Sequence, residues 1–167
     1  LQAGRRIAEQ VVEVRAEVVI DQTHPGIDVR SISRRLAEVL ENLTGLVMER
    51  REVRPDSGGA GMFRGGCGQY TSFADRSGAT WSMSGMYDRL KFAAQGLLGG
   101  QPGLAGDFAL SDGRQANPKE LLFHPSTTRV DTALPGGGGY GDPFARDPEA
   151  VLRDVLNGYV SVEAATR

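Results

Sequence analysis

Residues 54–74 read RPDSGGAGMFRGGCGQYTSFA, and their change of character decides the fold. A Pro-Asp-Ser turn opens the stretch, six glycines follow within eleven residues (58–68), and an alternating run begins at Gln69. Glycine loses more backbone freedom on ordering than any other residue. A segment this rich in it therefore forms tight turns or lies close against other backbone. The run 69–74 reads as a strand with period two. Upstream, LVMERREVR (46–54) alternates in the same way. Downstream, 79–87, 106–113, 120–124 and 127–134 read as short strands, and DRSG (75–78) reads as a hairpin connection between 69–74 and 79–87. The segment 89–100 reads as loop because of its glycine spacing. PGGGGYGDP (135–143) forms a second glycine-rich loop.

Helical patterns flank this middle. Residues 4–15 place Ile7, Val11 and Val14 at helical spacing. A second helix begins after Asp28, with Ile32, Leu36, Val39, Leu40 and Leu43 on one stripe and Gly45 as its stop. Near the other end Asp147 caps a helix with Pro148 in its first position, Val151, Leu152, Val155 and Leu156 form its apolar face, and Asn157-Gly158 ends it. Ser161 caps a last short helix. The expected class is α+β, with short, mostly antiparallel strands. The expected divisions are a helical segment over 1–44, a glycine-rich β domain over 45–145 and a helical tail over 146–167.

The chain has 167 residues and a formal charge of −2, without a strongly basic block, which argues against a nucleic-acid surface. No run reaches the roughly 18 apolar residues of a membrane span. No basic and apolar leader opens the sequence, and one cysteine, Cys67, excludes an internal disulfide. A reducing cytoplasm is the expected setting. Glycine accounts for 23 of the 167 residues, and 19 of these lie between Gly58 and Gly141. A domain of this composition is a weak independent folder and gains from a partner surface.

The candidate functional residues lie in the two glycine loops. Gly136, Gly138 and Gly141 satisfy a GxGxxG spacing, with Tyr140 inside it and Asp142 after it. The next helix starts about six residues later, and no Lys-Ser/Thr pair follows. The pattern therefore reads as a packing loop rather than a phosphate cradle. Asp56, Ser57 and Arg64 can form an anion nest, or Asp56 and Ser57 can fix their own turn while Arg64 pairs with Asp56. His24 and His124 lack a third ligand at metal spacing and read as solvated or hydrogen-bonded histidines. Cys67 has no activating base nearby in sequence. Tyr70, Phe73, Trp81, Met83, Met86 and Tyr87 read as core. No catalytic, cofactor-binding or metal-ligating residue is assigned.

Two stretches carry a resemblance: GLVMERREVRPDSGGAGMFRGGCGQ (45–69) and LPGGGGYGDPFARDPEAVLRDVLNGYVSVEAATR (134–167), with GGQPG (99–103) between them. They resemble the C-terminal region of the hydantoinase B family, which includes subunits of N-methylhydantoinase, 5-oxoprolinase, acetone carboxylase and acetophenone carboxylase. The resemblance spans about 36–167. It implies a part in an ATP-dependent, hetero-oligomeric enzyme, a hydrolase of cyclic amides or a ketone carboxylase, with larger hydantoinase A-type and B-type subunits as partners. In that family an A-type partner activates the substrate oxygen by phosphorylation. ATP, Mg and a transition metal (Zn or Mn) are then expected elsewhere in the complex, because the His and Asp motifs of the metal-bearing half do not occur here. Cys67 stands where the family has an aliphatic residue, which marks it as a packing residue. The resemblance implies an assembly domain or small subunit, inactive alone. A stand-alone interaction or ligand-binding module derived from the same domain is the alternative.

Overall fold

The structure, a computed structural model, describes residues 37–39 and 41–166. The expected helix over 4–15, the Asp28 cap and His24 lie outside the described residues. The second helix is seen at its end: residues 41–44 are helical, and Gly45 stops them at φ +69° while its N–H donates to the Glu41 carbonyl. Val39 and Leu43 of its expected apolar stripe are exposed.

Six strands follow: β1 (Leu46–Val53), β2 (Gln69–Asp75), β3 (Trp81–Ser84), β4 (Asp107–Leu110), β5 (Leu121–His124) and β6 (Val130–Ala133). Four of them form an antiparallel sheet in the order β1-β2-β6-β4, and β3 pairs with β5 in a separate two-stranded sheet. A 3₁₀ turn (Pro143–Ala145) and helices α1 (Pro148–Leu156) and α2 (Val162–Ala165) complete the described chain. Helices and antiparallel strands thus coexist as an α+β fold. Among the described residues no helix is long and apolar enough to cross a membrane.

Register explains where the core sits. Met48, Phe73, Val130 and Leu110 are cross-strand partners in one row across all four strands. The central member, Val130, is fully buried, and Leu110 is nearly so. Trp81 joins them, with Leu46, Phe73, Met83 and Phe108 packed partly buried around. A register shift between Met48 and Arg50 ends β1's share of this row, and 49–53 are exposed. The expected core is corrected at Met86, which is 81% exposed.

The expected hairpin is also corrected. Residues 75–78 do turn: the Asp75 carboxylate accepts from the Ser77 hydroxyl and the Gly78 N–H, and Gly78 has φ +75°. Yet β2 continues the large sheet while β3 pairs with β5, so the two strands beside the turn never meet. The segment 89–100 is loop, with one isolated bridge at Leu97.

Candidate functional site

The glycine-rich segments assemble with each other. The amide of Gly136 donates to the Leu104 carbonyl and that of Gly139 to Gln101. The amides of Gly137 and Tyr140 donate to Gly66 and Phe63. Each step of three along 136–141 is thus answered by three steps back along a neighbour. The same counter-running pattern links Gln101 and Leu104 to Ala60 and Ser57, and Gly100 and Gly103 to Leu97 and Ala94. A period of three is that of a polyproline-II chain, with its three residues per turn. The result is a bundle of extended segments tied by backbone bonds outside any β-ladder.

Spacing in this bundle is set by the absence of side chains. A Cβ on Gly136 would lie 1.7 Å from the Ser57 carbonyl oxygen, and one on Gly139 would lie 2.0 Å from that of Ala60. Gly138 is similarly closed off by the Gln95 carbonyl, at 2.0 Å. Five of the six amides in 136–141 donate to backbone carbonyls (136, 137, 139, 140 and 141). A phosphate cradle would need those same N–H groups. The bundle packs where a nucleotide loop would bind.

The other candidates buttress the bundle. The Ser57 hydroxyl donates to the Arg54 carbonyl at 2.6 Å and accepts from the Gly68 N–H at 2.7 Å, fully buried. Tyr140 bridges to both Phe63 and Leu97, with its ring 6.2 Å from that of Phe63. Asp142 caps the 3₁₀ turn by accepting from the Phe144 N–H. Asp56, at φ +57°, accepts from the Ser161 N–H, and its own N–H donates to the Tyr159 carbonyl. Asp56 thus ties the first glycine loop to the start of α2.

Arg64 does not pair with Asp56. Its Nε lies 2.9 Å from Asp154 on α1, and its Nη1 donates to the Gly65 carbonyl and contacts the Cys67 sulfur at 3.1 Å. Arg146 reaches the same Asp154 oxygen at 2.6 Å and donates to the Met62 carbonyl. Sequence reading missed Arg146 and Asp154; their spacing of eight residues around a helix start gave no ion-pair signal. Burial opposes the Arg64 charge, and the Asp154 hydrogen bond with neighbouring negative groups outweighs it, so its pKa is raised. A cavity of about 400 Å³ opens over these charges, bounded by Gly61, Phe144, Val151, Val160 and Ala164.

His124 departs from the expectation of a solvated or hydrogen-bonded ring. It is fully buried, its ring tilted against that of Trp81 with centroids 4.7 Å apart, and neither ring nitrogen has a partner; Trp81 Nε1 is unpaired as well. Burial, and then the Arg114 charge, lower its pKa against an opposing effect of Asp112. Among the described residues no group of three or more His, Cys, Asp or Glu is placed to hold a metal ion.

A family profile described as Hydantoinase B/oxoprolinase matches residues 26–143. The match starts ten residues earlier than the sequence motifs suggest. The chain is 34% identical over 136 residues to the beta subunit of the caprolactamase of Pseudomonas jessenii, covering 77% of this chain and 23% of that one. It is 31% identical over 137 residues to the B-type subunit of a putative D-/L-hydantoinase of Pseudomonas sp. (strain NS671), covering 77% and 22%. The crystal structure of the ATP-dependent caprolactamase from P. jessenii superposes with a TM-score of 0.60 at 33% identity, over 77% of this chain and 24% of that one. The nucleotide-free structure of acetone carboxylase gives 0.56 at 25% identity, over 77% and 22%. The chain therefore spans a little under a quarter of the length of the relatives it matches.

Proposed function

Since the chain belongs to the hydantoinase B/oxoprolinase family, we propose that it is a structural or assembly domain, or a small subunit, of a multi-subunit ATP-dependent enzyme of hydantoinase B type, without turnover of its own. The observation that carries this reading is the use to which the glycine loops are put. Their amides, together with Ser57, Asp56 and Arg64, close on backbone and on the C-terminal helices. This use of the glycine loops for internal packing supports a structural role. Relatives named as subunits of a hydantoinase and a caprolactamase, each about four times longer than the matched part, support the same reading.

The reaction of the assembly is ring opening of a cyclic amide or carboxylation of a ketone. Larger A-type and B-type chains are its hetero-oligomeric partners, and ATP, Mg and a transition metal (Zn or Mn) act in those chains, in the cytoplasm. The test is turnover and co-purification. The purified chain, given ATP and magnesium with hydantoin, 5-oxoproline, caprolactam or acetone, is expected to release no product. From its source cells it is expected to co-purify with larger hydantoinase-type chains. Turnover by the chain alone would sink the proposal. Recovery of the chain without any such partner would favour a stand-alone interaction module.

A further inference from the structure

Arg64 and Arg146 form their salt bridges with a single carboxylate, that of Asp154. The three side chains are 18%, 17% and 13% exposed. Among the described residues, two cations and one anion leave one positive charge in excess in a partly buried place. The carbonyl end of α1, where Asp154 sits, contributes about half a negative charge, which reduces the excess without cancelling it. An unbalanced charge is costly to hold where water is partly excluded. The cluster is balanced when a second anion joins it, and the cavity opens directly above it.

The cavity's rim is apolar and exposed. Phe144 on its lip is 89% exposed, and Met62, Phe63, Tyr140, Leu97 and Leu98 extend the surface through the bridges of Tyr140. Aromatic and arginine anchors around a pocket that excludes water are the usual centre of a protein interface. We infer that this face seats the rest of a hydantoinase B-type polypeptide, which inserts an acidic side chain flanked by apolar residues into the cavity between Arg64, Arg146 and Phe144. The inference rests on the assembly reading above and names its surface. The relatives carry more than three quarters of their length outside the matched region, so a large body is available to cover it. A small free carboxylate would leave the rim uncovered. A second copy, meeting this one through the same face, would oppose like charge with like charge.

A photo-crosslinking amino acid at Phe144 of the full chain, in its source cells, tests this, with one at Leu121 on β5 as the comparison position. Irradiation from position 144 is expected to capture a hydantoinase B-type polypeptide, at a peptide containing Asp or Glu. Arg146→Gln is expected to cut that yield about tenfold or more, the effect of losing a buried charge pair. Because Arg146 also braces Asp154, the captured acid is separately replaced by Lys on the partner, which leaves this chain intact and is expected to cut the yield as much. Capture of residues 1–36 of the same chain, or of a second copy, overturns the inference. An unchanged yield in both charge variants does so too. Capture of a B-type polypeptide from Leu121 alone sinks this face and leaves the assembly reading standing. Capture from neither position sinks both.

Discussion

Individual residues in this molecule are constrained chiefly by what cannot be added to them. Gly136 sits 1.7 Å, Cβ to oxygen, from the Ser57 carbonyl, and that oxygen is backbone and cannot rotate away. Gly136→Ala is expected to cost about 3 kcal/mol or to abolish cooperative melting, as overpacking of a rigid site does. Gly66 has no heavy atom within 4 Å of its virtual Cβ, so Gly66→Ala should stay within about 0.5 kcal/mol of the parent. Thermal unfolding of the pair separates close packing from glycine content. Asp154 carries a different constraint. Asp154→Asn leaves two mostly buried guanidiniums facing each other, with an expected loss of about 3 kcal/mol in denaturant unfolding. His124 links the fold to pH. Its folded-state pKa lies below the ordinary 6.5, so below that pH the unfolded chain takes up a proton that the folded chain refuses. Stability from this group is complete above about 6.5 and declines as the pH falls. His124→Phe keeps a ring against Trp81, removes two unpaired nitrogens and should flatten the decline below about pH 6.5.

At the scale of elements, α1 is set by local chemistry. Its cap, Asp147, accepts from the Glu149 N–H, Pro148 occupies the first position and Asn157 ends it. Asp147→Ala is expected to cost about 1 kcal/mol, read as a lowered melting temperature. Such elements are legible in sequence because capping and periodicity act within a few residues. The strands are legible for the same reason: the runs read as strands over 46–54, 69–74 and 120–124 agree to within a residue or so with β1, β2 and β5. Pairing is not legible. The DRSG turn is present, yet β2 and β3 go to different sheets, because β6 supplies Val130 opposite Phe73 and closes the apolar row. That choice depends on a residue 57 positions away. The candidate site divides along the same line. Asp142 and Ser57, which act locally, are readable, whereas Arg64 meets a carboxylate 90 residues on and Arg146 joins it from outside either glycine loop.

The described residues of the molecule are held by two unlike cores. One is small and apolar, centred on Val130, Leu110 and Trp81. The other is a stack of backbones whose cohesion is the three-residue repeat of hydrogen bonds among 57–66, 94–104 and 136–141. Composition announces the second core, since glycine at this density is either disordered or closely packed, but the partners of each segment follow only from the assembled fold. That second core has a spectroscopic consequence. Extended segments bonded outside any ladder contribute neither the helical nor the sheet bands of far-ultraviolet circular dichroism, so the spectrum of the purified chain should report the strands and helices and leave this core unseen. Amide exchange should reveal it: the protons of Gly136, Gly137, Gly139 and Tyr140 are expected to outlast those of the turn at Ser77 and Gly78, so order in this core is read from exchange rather than from the spectrum.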